Sequence, residues 1–401
     1  MSDLGFDADR LARIDAHFQR YVDDGRLAGW QVLVGRHGHV AHASTYGLAD
    51  KEVGRPVAED TLWRIYSMTK PIVSIAAMIL WEEGRFELTD EVSRFIPSFA
   101  DSQVFDRGSN TKAFLVPAVE PIRVWHLLSH TSGLTYGFMQ THPVDAIYRA
   151  AGYDFGTPAG MDLAAACDGW AGLPLKFQPG SAWGYGVSTD VLGRVVEVLA
   201  GQPLDVFVRE RILEPLGMTD TRWWVEGEDV ERLAALYAAV DGQAIRYDVL
   251  GNSALRKPRM LSGGGGLVSS AADYWQLCRM LIGRGEVDGA RILAPRTLEL
   301  MTRNHLPGGA DLAAVNSGGF AETVFDGTGF GLGFAVTMDP RPSKSAGSLG
   351  EYYWGGLAST AFWIDPSTGV SAVFLTQLAP SSTYPIRAQL RQLVYSALVD
   401  D

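Results

Sequence analysis

The chain has 401 residues, 47% of them apolar and 20% charged, which suits a packed core and excludes intrinsic disorder as the main state. Acidic residues outnumber basic ones by 46 to 34, a net charge of -12. That balance offers no basic footprint for nucleic acid and disfavours docking on anionic lipid. At about 150 residues per domain, the length allows two or three folding units.

The expected elements begin with an amphipathic helix over residues 7–24, with Leu11, Ile14, Phe18, Tyr21 and Val22 on one face and Asp7 as its cap. A hairpin follows: Trp30 to Gly35, a turn at Arg36-His37-Gly38, then Val40 to Tyr46. Pro71 to Glu83 reads as a helix apolar nearly all round, so one buried among others. It contains the densest apolar run, Ile72 to Leu80, far short of the roughly 20 residues a membrane span needs. The middle of the chain reads as mostly helical, including Ser188 to Ala200 stopped by Gly201. Strands return with Phe330 to Met338, Leu357 to Ile364 and, after the turn Asp365 to Gly369, Val370 to Gln377. A last helix opens at Pro385.

Strands at both ends with helices between them predict one antiparallel sheet and an inserted helical domain. The expected units are residues 1–85 with 200–401, and residues 86–199, with the active site at their interface. The acidic N-terminus lacks the basic and apolar regions of a secretory leader, and Cys167 and Cys278 are too few for a disulfide framework. The expectation is therefore a cytoplasmic protein with neither membrane nor nucleic-acid partners; its oligomeric state stays open.

Only six lysines occur, so a Ser-x-x-Lys match carries information. There are two, Ser67 with Lys70 and Ser109 with Lys112. The second sits in a turn-like stretch. The first heads the buried helix, because Pro71 fits only a first turn and so places the helix start near residue 67 or 68. A hydroxyl there lies near free N–H groups that favour developing negative charge. Lys70 projects from the same face one turn on, and enclosure in apolar surface lowers a lysine pKa.

Ser67-Met68-Thr69-Lys70 at the head of a buried helix resembles the serine β-lactamase and penicillin-binding-protein family. Trp183-Gly184-Tyr185-Gly186-Val187 keeps the tyrosine of that family's Tyr-x-Asn motif and loses its asparagine. Trp354-Gly355-Gly356-Leu357 stands where the family has Lys-Thr-Gly. These two departures, with His126 to Leu134 and Ser262 to Ser269, resemble the family VIII carboxylesterases and related acyltransferases.

The resemblance implies an α/β fold of the β-lactamase type and a serine esterase acting on small neutral esters, without metal or organic cofactor. It implies Ser67 as nucleophile, with Lys70 and Tyr185 as the base network and the phenol pKa of Tyr185 lowered by Lys70. It also implies the backbone N–H groups of Ser67 and Leu357 as oxyanion hole. Trp354, Gly355, Gly356, Tyr353, Tyr136, Phe138 and Trp183 are the candidate pocket residues. A β-lactamase or D-amino-acid peptidase, and an inactive scaffold on the same fold, stay as alternatives.

Other chemistry has little to stand on. No Gly-x-Ser-x-Gly elbow exists for an α/β-hydrolase. His126 with His130, and His37 with His39, supply two nitrogens each where a metal site needs three or more ligands. Gly263 to Gly266 lacks the Lys-Ser/Thr of a phosphate loop and reads as a tight turn.

Overall fold

The computed structural model describes residues 4–399; the first three residues of the acidic N-terminal stretch lie outside them. Helix α1, Ala8–Asp23, is capped by Asp7, whose side chain accepts the Arg10 N–H at 3.0 Å. Strands β1, Gly29–Arg36, and β2, His39–Asp50, follow. Between them His37 and Gly38 both have positive φ, 52° and 81°, the twist that a two-residue hairpin turn requires. Strand β3, Arg55–Pro56, completes this end of the sheet.

The C-terminal part adds β4 (Thr328–Phe330), β5 (Ala335–Thr337), β6 (Tyr352–Gly355), β7 (Ala361–Asp365) and β8 (Val370–Thr376). The sheet runs β4-β5-β6-β7-β8-β1-β2-β3, antiparallel at every pairing. One sheet is thus built from both ends of the chain. Two strand expectations need correction. Phe330 to Met338 is not one strand but parts of two, because the chain folds back over Gly331 to Gly333, where Gly333 takes φ 102°. Leu357 to Ile364 is a strand only from Ala361 on, and Trp354 and Gly355 close a strand of their own.

Both faces of the sheet are covered. Phe362 faces with its cross-strand partner Val373, and Tyr274 of helix α4 packs on it at 5.1 Å between ring centroids; α4 spans Ala271–Ile282. Phe374, the next residue, points to the other face and meets Phe18 of α1 at 4.8 Å. Helix α5, Ile386–Ala397, lies beside α1. Phe18 is fully buried. Phe18→Ala should therefore cost about 3–5 kcal/mol of stability, read from the denaturant midpoint at unchanged slope.

Helix α2, Thr69–Glu82, is buried from Thr69 through Leu80 and packs against α3, Ser188–Ala200, which ends at Gly201 with φ 68°. The stretch between them is less helical than its composition suggests. It contains an exposed hairpin, Gln103–Gly108 with Ala113–Pro117, whose turn holds Ser109 and Lys112. Among the described residues, no helix is long and apolar enough to cross a membrane.

Candidate active site

A two-residue strand, Trp63–Arg64, leads into a tight turn, Tyr66–Met68, and the turn feeds α2. Tyr66 takes φ 43°, uncommon for a side chain of its size, and this sharp entry carries Ser67 at the head of the helix. Lys70 Nζ donates to Ser67 Oγ at 3.2 Å, to Tyr136 Oη at 3.1 Å and to the Gly264 carbonyl at 2.6 Å. An ammonium has three protons, and here each has an acceptor. Burial nevertheless pulls the Lys70 pKa down to about 8, against the opposing pull of Asp190 and Glu322. It titrates near neutrality.

The loop before α3 brings in Tyr185. Its phenol oxygen accepts the Trp354 Nε1–H at 3.3 Å and lies beside the Ser67 side chain. The expectation that Lys70 lowers the phenol pKa needs correction. Lys70 Nζ lies over the face of the Tyr185 ring, 4.6 Å from its centroid, while its hydrogen bonds go to Ser67, Tyr136 and Gly264. Burial raises the Tyr185 pKa, so in the resting protein it is a neutral phenol.

Opposite Ser67, the turn after β6 presents Leu357. Among the described residues its N–H has no protein acceptor, whereas the flanking Gly356 N–H donates to Thr360 O at 3.0 Å. Gly356 sits directly on the nucleophile turn. A Cβ there would lie 2.3 Å from the Ile65 carbonyl oxygen. The two backbone segments that would hold a substrate carbonyl are therefore in contact.

These groups open into a cavity of about 590 Å³. Its wall is mainly apolar and includes Phe138, Phe155, Met161, Trp170, Val187 and Trp223. Tyr136, Phe138 and Phe155 stack in a column at 4.9 and 4.8 Å from Lys70 outward. Of the candidate pocket residues, Tyr136 and Phe138 border the cavity, as does Leu357. Trp183, Tyr353, Trp354, Gly355 and Gly356 do not border it. The reasons are local. Trp183 stacks flat behind Tyr185 at 6.0 Å, and Trp354 meets Tyr185 by its indole N–H. Tyr353, one residue along β6, points to the opposite face, where Arg391 covers its ring at 4.2 Å.

Sequence reasoning missed Asp190 and assigned Tyr136 only a wall. Asp190 Oδ1 accepts from Ser262 Oγ at 2.6 Å and from Gly264 N at 3.0 Å, which holds the glycine turn whose carbonyl anchors Lys70. The signal was present: an acid in the first turn of α3, beside the apolar Val191, Leu192 and Val195. The histidines take other places. His126 Nδ1 accepts the Arg123 N–H at 3.0 Å, and His130 lies among Trp183, Tyr185 and Phe330. Among the described residues, no group of three or more His, Cys, Asp or Glu could hold a metal ion.

The family model named Beta-lactamase matches residues 14–396. The chain belongs to the Beta-lactamase family. Within it, the chain is 33% identical to Esterase EstB of Burkholderia gladioli over 97% of this chain and 96% of that one. It is 35% identical to Protein Rv1367c of Mycobacterium tuberculosis over 91% and 89% of the two chains. Among solved structures, EstCE1, described as a hydrolase with promiscuous acyltransferase activity, superposes with TM-score 0.82 at 31% identity. That match covers 96% of this chain and 99% of EstCE1. The similarity to EstB and EstCE1 places the chain among the esterases of this family.

Proposed function

We propose that the protein is a serine carboxylesterase that hydrolyses small neutral esters, or passes their acyl group to an alcohol, through an acyl-enzyme on Ser67. The observation that carries this reading is the buried Lys70 amine, 3.2 Å from the Ser67 hydroxyl and with its pKa lowered by burial. The esterase and acyltransferase descriptions of EstB and EstCE1 support it.

Ser67 Oγ attacks the ester carbonyl carbon as its proton passes to the neutral form of Lys70. The oxyanion is held by the N–H groups of Leu357 and Ser67. Trp354 occupies a lone pair of the Tyr185 oxygen, so the phenol proton is free to point at Ser67 and the leaving oxygen. The network of Lys70 and Tyr185 returns one proton to the departing alkoxide, leaving the acyl-enzyme. Water or a second alcohol then reverses the sequence. The family's Lys-Thr-Gly cation is absent, and Val187, on the cavity wall, suits uncharged acyl groups better than β-lactams.

Labelling tests this directly. An alkyl p-nitrophenyl phosphonate should release one p-nitrophenol per chain and leave its phosphonyl group on the Ser67 peptide, read by mass spectrometry. Labelling elsewhere, or none, overturns the reading. The pH profile adds a second check. Because Lys70 must lose its proton to accept one, kcat/KM should rise with pH through an acid limb near pH 8, the point at which Lys70 titrates.

A further inference from the structure

Trp354 leaves the strand facing Ser67 without a cation of its own, yet one reaches it from the neighbouring helix. Arg387, the second residue of α5, lays its guanidinium against the end of β6. Its Nη2 donates to the Gly356 carbonyl at 3.0 Å and the Thr360 carbonyl at 2.9 Å. A Cβ on Gly355 would fall inside this guanidinium, so only glycine leaves it room. The positive charge thus sits on the turn that carries the Leu357 N–H.

The charge is already taken. Arg387 Nη2 also donates to Glu322 Oε2 at 2.6 Å, and Nη1 donates to the Glu322 carbonyl at 2.7 Å. Ser381 Oγ donates to the same carboxylate oxygen at 2.8 Å. Glu322 is 2% exposed, but it borders the cavity shared with Ser67 and Leu357. Its field reaches Lys70, Tyr136 and Tyr185. The mechanism makes no use of it. Arg387 reaches the cavity only through Glu322 and the Gly356 carbonyl, and the cations that do border it are turned elsewhere: Arg64 to the carbonyls of Ala234 and Gly251, Arg259 to that of Gly160.

A buried carboxylate is costly unless paired, and here the pairing acts in both directions. We propose that Glu322 is a specificity-determining residue: by cancelling the charge of Arg387 beside the carbonyl-binding turn, it excludes esters whose acyl chain ends in a carboxylate. Such a substrate finds no free guanidinium and meets a like charge. The inference rests on the esterase reading of the cavity.

The test uses two esters of matched heavy-atom length, p-nitrophenyl heptanoate and p-nitrophenyl hemiadipate, whose common four-methylene chain ends in an ethyl group or in a carboxylate. The wild type should favour the heptanoate by 100-fold or more in kcat/KM. Glu322→Gln keeps the shape and an acceptor while freeing the guanidinium charge, and should shrink that ratio at least tenfold. Glu322→Gln with Arg387→Met has neither charge and should fall between the two. Reading the ratio rather than the rate removes any general loss of activity. An unchanged ratio in folded Glu322→Gln overturns the inference. Equal use of both esters by the wild type overturns it too, and needs no variant to fold. Hydrolysis of neither ester, with Ser67 unlabelled by phosphonate, instead overturns the esterase reading on which it stands.

Discussion

Ser67→Ala is expected to lower kcat for a short-chain p-nitrophenyl ester by about 10⁴-fold or more, as loss of the nucleophile does in a serine hydrolase. The change removes one buried oxygen and leaves the helix start intact, because no side-chain cap on α2 depends on it. Lys70 keeps its contacts to Tyr136 and Gly264, so the site should remain assembled. The residual rate should then report cavity binding and the oxyanion donors alone. A melting temperature near that of the wild type, alongside the lost rate, separates chemistry from folding. A rate within tenfold of the wild type would move the nucleophile elsewhere.

The second large effect needs no change to any reacting group. In Gly356→Ala the new methyl would lie 2.3 Å from the Ile65 carbonyl oxygen and 2.4 Å from Thr360 Oγ1. Backbone does not yield cheaply, so the turn after β6 must move away from the turn that carries Ser67. The Leu357 N–H would move with it. Loss of one oxyanion donor costs about 10²–10³ in kcat, and that is the fall expected here. The split between parameters is diagnostic, because the donor matters most to the transition state: kcat should fall and KM change little. Phosphonate labelling should slow in parallel, since it passes through the same oxyanion.

The difference between what was legible and what was not follows the range of the interactions. Ser67 and Lys70 share one helical turn, so their spacing could be read locally, and Pro71 placed that turn. The hairpin at His37-Gly38 and the cap at Asp7 are equally local. The two-strand split after Phe330 was hidden because a run of small and apolar residues looks alike straight or folded, and β4 and β5 are only three residues each. Tyr136, Asp190, Glu322 and Arg387 converge from loops and helices far apart in the chain, with no spacing to betray them. The pKa of Tyr185 turned on its burial, with Lys70 against the ring face and not the oxygen, and a motif carries neither.

The central strands of the sheet carry a consequence for biosynthesis. Strand β1 pairs with β8 from Trp30, opposite Thr376, to Arg36, opposite Val370. Until residues 370–376 are made, then, one edge of β1 has no partner, and its row of N–H and C=O groups stays open. The Leu357 turn arrives almost as late. A ribosome stalled between residues 70 and 370 would therefore hold a chain with Ser67 and Lys70 already made but no closed sheet to set them against. Such a nascent chain can be neither active nor safe from edge-to-edge association, and a long-range closure of this kind is slow.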